Sequence, residues 1–331
     1  MRRGEVVHGA DVGGACSVYG VYLSTNCLRR LGTREFSCGG SFRGDLRGAN
    51  SLARSVLPKR ATPPFPRQGV HTDGMNENDY GVPIPGEPVP REAWARTAIK
   101  RLPTDGPLDF GVIFGREAPL VLDLGCGNGR FTLAHAIAHP EMNHFAIDAL
   151  PVVIRYATKR ANQRGLHNVR IAVCDADRFV AKYVRQRSVS ELHLYHPQPY
   201  HDPSQAERRL LTPRFLIDVY ESLQEDGIFV WQTDNRQYAA YMRQASAVFF
   251  NVVDLPLPWP DAPQGRTRRE IYSLQHGLPV ARAICRPKTG LSRLECEELA
   301  SAMSLPNFET VRKPAHRPVH RRQSRGRRPP S

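Results

Sequence analysis

No apolar run in these 331 residues is long enough to cross a bilayer, which leaves no membrane-spanning helix to expect. The chain opens with Arg2 and Arg3, but Glu5, His8 and Asp11 break up what would be the apolar part of a secretory signal, so none is read there. The seven cysteines, Cys16, Cys27, Cys38, Cys126, Cys174, Cys285 and Cys296, are odd in number. They include no Cys-x-x-Cys and no Cys/His cluster with zinc spacing, so neither a disulfide framework nor a metal site is expected. Free thiols in a reducing compartment, and hence a cytoplasmic protein, are the reading.

Negative charge is absent from residues 311–331, which carry eight basic residues and no acid. Residues 1–74 carry 11 basic and 5 acidic side chains, so the two ends account for the whole net charge of +14. The middle is neutral overall. Residues 1–74, rich in Gly, Ser and Arg and then in Pro, read as a disordered basic extension, and 311–331 as a disordered polycationic tail. Such arms bind nucleic acid through phosphates. Met75 opens a more ordinary stretch and is an alternative start of translation. Residues 75–119 form a lead-in with a short helix near 91–96, 120–290 the main domain, and 291–310 an accessory helix outside it. The sequence sets no oligomeric state, monomer or homodimer.

What the chain does hold is Val121-Leu122-Asp123-Leu124-Gly125-Cys126-Gly127-Asn128-Gly129-Arg130-Phe131. A short apolar run reads as a buried strand. Three alternating glycines then let the backbone turn and approach a ligand where a Cβ would clash. The helix that follows presents unpaired N–H groups to the same place. From here strands are predicted at 120–124, 143–147, 169–173, 191–195, 228–232, 249–254 and 280–285. Helices at 130–138, 152–164, 176–186, 208–223 and 238–248 separate the first six. The alternation predicts an α/β fold, a doubly wound, mostly parallel, seven-stranded sheet. In such sheets ligands bind at the carboxyl ends of the strands, near the reversal of strand order. Asp123, Asp148, Asp175, Gln198 and Asp234 all fall at or near predicted strand ends. Each alone reads as a turn or cap residue; their recurrence at equivalent places points to a pocket.

Asp-Leu-Gly-Cys-Gly-Asn-Gly at 123–129 resembles the first motif of class I S-adenosylmethionine-dependent methyltransferases. Tyr195-His196-Pro197-Gln198-Pro199-Tyr200-His201 resembles the Phe-Pro-Asp-Pro-Trp-His segment of the tRNA (guanine-N7)-methyltransferase family. Arg208-Arg209, Thr233-Asp234 and Thr267-Arg268-Arg269-Glu270 resemble that family's basic pair, Thr-Asp pair and Thr-x-x-Glu motif, in the same order. The resemblance spans roughly residues 120–283. It implies the cofactor S-adenosyl-L-methionine, held by Asp123, Gly125, Gly127, Asp148, Asp175 and Gln198. It implies tRNA as partner, with Asp202, Asp234, Thr267 and Glu270 toward the target guanosine and Asp234 and Gln198 as catalytic candidates. The chain departs from the family where Gln198 replaces an aspartate, Asp202 a lysine, and residues 203–209 thin a basic run. A related methyltransferase with a changed substrate, and an RNA-binding relative without catalysis, therefore stand as alternatives.

Overall fold

The computed structural model describes residues 77–309; the two basic extensions and Met75 lie outside the described residues. A hairpin of two short strands, β1 (Asn78–Asp79) and β2 (Val82–Pro83), comes first, followed by β3 (Ala98–Ile99) and α1 (Phe110–Phe114). Then β4 (Leu120–Leu124), α2 (Arg130–Ala138), β5 (Asn143–Asp148), α3 (Pro151–Gln163), β6 (Val169–Val173) and α4 (Ala176–Tyr183) alternate. β7 (Val189–Tyr195), α5 (Pro213–Ser222), β8 (Leu223–Thr233), α6 (Arg236–Phe249) and β9 (Phe250–Asp254) continue the pattern. α7 (Arg268–Gln275), β10 (Ala281–Pro287) and α8 (Arg293–Ser301) complete it.

The main sheet runs β3-β6-β5-β4-β7-β8-β10-β9. All neighbours from β3 to β8 are parallel, and β10 runs antiparallel to both β8 and β9. All seven expected strands are present, and β3 adds an edge strand of two residues. Successive crossovers from β4 lead outward to β5 and β6, whereas β7 lies on its other side, so strand order reverses between β4 and β7. A crevice opens beyond strand ends at such a point, because the two connections leave to opposite sides.

The sheet's two faces are unlike. Leu122, Leu124, Leu192, Leu194, Phe229 and Trp231 belong to the larger apolar core, together with Phe179 of α4, Phe215 of α5 and Phe249 of α6. Side chains alternate along a strand, so intervening residues point to the opposite face. These include Asp123, Glu191, His193 and Gln232, all partly or fully buried. The apolar packing on that face is a smaller cluster with Leu133, Ala146, Ala157 and Ile171.

Three elements, α5, β8 and the lead-in helix, differ from the sequence expectation. The helix expected at 208–223 begins at Pro213, whose missing N–H suits only the first turn, and Thr212 Oγ1 accepts from Phe215 N–H to cap it. Its last residue abuts β8, which starts at Leu223 instead of 228 and pairs there with Val189. The lead-in helix is one 3-10 turn, Arg91–Ala93. Residues 291–308 pack on the main core: Cys296 is fully buried in it, and Phe308 lies against Tyr238 and under the Arg209 guanidinium. Among the described residues no helix is long and apolar enough to cross a membrane.

α2 meets α3 at Gly129, whose φ is +80° and whose position leaves only 2.8 Å between an added Cβ and that of Ala157. Gly129→Ala is expected to lower the unfolding free energy by about 1–3 kcal/mol. A fall in the denaturant midpoint with unchanged slope would report it.

Candidate active site

The crevice at the β4/β7 reversal is a cleft of about 760 Å³, lined by the glycine loop after β4, the segment after β7, the end of β8 and the first turn of α7. That volume is within the range of small-molecule sites. The glycine loop is fastened from below. Gly125 and Cys126 N–H both donate to the Ile147 carbonyl (2.8 Å each), and Gly127 N–H donates to Asp148 Oδ2 (3.0 Å). Asp148 Oδ1 accepts from Leu150 N–H (2.9 Å), so one carboxylate ties the loop to the entry of α3. At Gly125 and Gly127, with φ of +76° and +54°, an added Cβ would meet nothing within 4 Å. The backbone there is bare toward the cleft.

The β1–β2 hairpin approaches the same loop. Asp79, nearly fully buried, accepts from Asn128 Nδ2 at both oxygens (3.0 and 3.1 Å) and pairs with Arg130 at 3.4 Å. The turn presents Tyr80 at φ +52°, and Gln275 Nε2 of α7 donates to its carbonyl (2.8 Å). Left-handed backbone at a tyrosine is costly and persists only when its surroundings hold it. The Tyr80 ring is exposed at the cleft, 5.5 Å from that of Tyr272 and beneath the Arg268 guanidinium at 5.2 Å.

The floor is polar and closely specified. Trp259 Nε1–H, which can only donate, reaches Gln232 Oε1 at 2.7 Å. Gln232 Nε2 donates to Glu270 Oε2 (3.2 Å) and to His196 Nε2 (3.0 Å). His196 Nε2 therefore accepts, which leaves Nδ1 to carry an N–H, 3.5 Å from Asp234 Oδ1. Asp234 Oδ2 accepts from Arg269 Nη2 (2.8 Å), Arg269 Nε (3.0 Å) and Ser273 Oγ (2.9 Å). Burial alone would raise the Asp234 carboxyl, but His196, Arg269 and Ser273 together hold it well below the usual carboxylate range. Asp123, at the end of β4, behaves oppositely. Burial pushes it up to about 7; the Thr132 hydroxyl bonded to Oδ2 opposes the rise and the charge of Asp148 adds to it.

The residues singled out from sequence divide accordingly. Asp123, Gly125, Gly127, Gln198, Asp234 and Thr267 all line the one cleft, and Asp148 lies behind the glycine loop. Asp175 is exposed at the start of α4, outside that lining. Asp202 is exposed and caps the 3-10 turn Pro203–Arg208, accepting from Ser204 N–H and Oγ–H. Thr267 caps α7 by accepting from Glu270 N–H (3.1 Å). Glu270 is fully buried beneath the cleft, where Oε1 accepts from Arg282 Nε (2.8 Å) and Oε2 from Arg266 N–H (2.8 Å). Sequence reading passed over Tyr80, Gln232 and Ser273, and assigned no task to His196 or Arg269.

Residues 117–272 match a family model described as a putative methyltransferase. A tRNA (guanine-N(7)-)-methyltransferase of Pseudomonas savastanoi pv. phaseolicola is 31% identical over 183 residues, covering 55% of this chain and 69% of that protein. The protein of the same name from Salmonella typhimurium is 29% identical over 181 residues, covering 53% and 76%. Among solved structures, the 16S rRNA methyltransferase KamB is similar at 15% identity and a TM-score of 0.45, covering 58% of this chain and 99% of its own. The chain belongs to the tRNA (guanine-N7)-methyltransferase family.

S-adenosylmethionine is the methyl donor of this family, and the cleft fits it. The bare backbone of Gly125 and Gly127 leaves room where a Cβ would intrude, and carboxylates flank the loop at Asp123 and Asp148. His196 stands where the family segment that this stretch resembles carries a phenylalanine. The buried Glu270–Arg282 pair generates a prediction of its own. Glu270→Ala leaves a guanidinium unpaired in the interior and is expected to destabilise the fold by about 3–5 kcal/mol. Thermal and denaturant unfolding would measure the loss. A variant as stable as the parent would place Glu270 outside the scaffold.

Proposed function

We propose that this protein transfers the methyl group of S-adenosylmethionine to N7 of a guanine in tRNA, with the target base seated between the glycine loop and Asp234. The observation that carries this reading is a single cleft with a bare glycine loop on one wall and an ionised, firmly oriented Asp234 on another. When bound, S-adenosylmethionine supplies an electrophilic methyl group on a sulfonium. Guanine N7 offers a lone pair and no proton, so no general base is required. The residues' task is alignment, worth up to ~7–11 kcal/mol for well-oriented partners.

In this reading Asp123 balances the methionyl ammonium and Asp148 accepts from the ribose hydroxyls, two roles a carboxylate can fill. Asp175 serves the adenine amino group from its exposed place at the start of α4. Asp234 has Oδ2 occupied by Arg269 and Ser273, so Oδ1 is the oxygen that accepts from the N–H groups of guanine. It also supplies the negative charge near the cationic product that Gln198 does not. Gln198, exposed on the cleft wall, keeps a donor and an acceptor for orienting the base. Thr267 fixes the first turn of α7 and thereby Arg268 and Arg269, and Glu270 acts from beneath through Gln232. Tyr80 and Tyr272 are stacking surfaces for a splayed base, a mode common to single-stranded RNA recognition. Arg268, half-exposed at the cleft rim beside them, contributes phosphate contacts. The two basic extensions add sequence-independent affinity for tRNA. Four free cysteines among the described residues fit a reducing, cytoplasmic setting.

A changed substrate is the second reading, favoured by Asp202, which caps a turn where the family carries a lysine. Incubation with labelled S-adenosylmethionine and bulk tRNA, followed by nucleoside analysis, separates the two: N7-methylguanosine supports the first, another methylated nucleoside the second.

Asp234→Ala is expected to cut methyl transfer about 100-fold or more while calorimetric affinity for S-adenosylhomocysteine holds. Asp148→Ala should do the reverse, weakening that affinity first. Full transferase activity in the Asp234 variant would reject its assignment.

Asp123 gives the pH dependence. Its carboxyl, pushed up to about 7, is mostly neutral below that pH and ionised above it. A ligand ammonium favours the ionised form, so affinity for S-adenosylhomocysteine should fall by up to about tenfold per pH unit below about 7. Asp123→Asn should flatten that profile between pH ~6 and ~8. A sloped profile in the variant would assign the titration to another group.

A further inference from the structure

Beneath the cleft, on the polar face of the sheet, α2 and β7 bring three ligand-bearing side chains together. His135 faces the sheet from the middle of α2, while Glu191 and His193, two residues apart on β7, rise from the same face of the strand. Glu191 Oε2 lies 2.9 Å from His193 Nε2 and 3.5 Å from His135 Nε2, and the ligating atoms of all three lie within 4.8 Å of one another. Ligands held tetrahedrally at the ~2.0–2.1 Å typical of zinc stand about 3.3 Å apart. Both Glu191–histidine separations fall within about half an ångström of that spacing.

The outer positions are already furnished. A ligating histidine usually hydrogen-bonds through its other ring nitrogen, which fixes the ring. His193 Nδ1 is 2.9 Å from Tyr195 Oη, and His135 Nδ1 is 2.9 Å from His144 Nε2. Both ion pairs made by Glu191 are with histidines, so a carboxylate 15% exposed faces imidazoles rather than a fixed cation. His139, 31% exposed, stands on the solvent side of the cluster's helix with its ring centroid 4.4 Å from that of His135.

We propose that His135, Glu191 and His193 form a zinc site, with two imidazole nitrogens and one carboxylate oxygen as ligands and a fourth position for water. Imidazole and carboxylate together suit a borderline divalent ion. None of the three lines the cleft. The ion is structural: it joins α2, which begins at the glycine loop, to β7, which ends at Tyr195 and His196, and so braces the two walls between which the cofactor and base would lie. Nothing in this assignment rests on the identity of the methyl acceptor.

The test uses the untagged full chain, stripped with a chelator, re-dialysed against Zn²⁺ and analysed by elemental mass spectrometry. About one zinc per chain is expected, with a melting temperature that rises on zinc addition and returns on chelation. Co²⁺ in its place should give d–d absorption without an intense thiolate charge-transfer band, because no cysteine belongs to the site. His135→Gln and Glu191→Gln should each lose the ion. A wild-type chain that leaves dialysis without zinc overturns the proposal, as does retention of zinc by both variants or a thiolate band with cobalt. Should the variants fail to fold, the wild-type stoichiometry and the cobalt spectrum still decide.

Discussion

One amide sets the floor of the cleft. Gln232 has three partners, two of which admit a single role: the Trp259 indole can only donate and the Glu270 carboxylate can only accept. Those two fix which end of the amide is oxygen. The remaining N–H must then point at His196, which fixes the imidazole tautomer and turns its N–H toward Asp234. Glu270 is itself held by Arg282. From Arg282 through Glu270 and Gln232 each group limits the next, so the orientation of the His196 ring beside Asp234 is decided by buried residues.

Such a chain is costly unless complete. A buried polar group left without a partner loses about 1–3 kcal/mol. The sheet face turned to α2 nevertheless carries His144, His193, Gln232 and Arg282, each almost wholly buried. Parallel strands covered on both faces ordinarily read as continuous apolar runs. Here the apolar work falls on the other face, where Leu122, Leu192, Phe229 and Trp231 join a single large core. The polar face can then serve the cleft because stability is secured behind it. His135, Glu191 and His193 belong to that arrangement.

The sheet was legible because its strands are short apolar runs separated by helical stretches, and Leu120–Leu124 before three glycines is the clearest of them. Boundaries were harder wherever chemistry interrupts period. Pro213 delays α5 although the apolar pattern begins earlier, and α7, Arg268–Gln275, holds too few apolar residues to announce itself. Strands of two residues around Tyr80 carry no periodic signal at all. At the site, motif matching located Glu270 but not its direction: the same Thr-x-x-Glu is the cap of a helix whose glutamate turns inward. His196 was hidden because it stands at a family phenylalanine, and only the Gln232 contact shows what a ring nitrogen does there. The histidine cluster was illegible for a simpler reason. A helix period and a strand period bring distant residues to one point, and neither period alone resembles a ligand motif.

The departures from the family gain a common meaning in this geometry. In the segment after β7, Gln198 stands at the family's aspartate and Asp202 at its lysine, and the Asp202 carboxylate caps a turn outside the cleft lining. The aspartate of the family's Thr-Asp pair stays on the cleft at the end of β8, where Asp234 is anchored by Arg269 and Ser273 and has His196 Nδ1 3.5 Å from its Oδ1. An anchored carboxylate reorganises little when a cation forms beside it, and fixed dipoles stabilise charge more effectively than mobile ones. With an uncharged Gln198 on the opposite wall, the carboxylate left at the end of β8 is one held in a fixed orientation by Arg269 and Ser273.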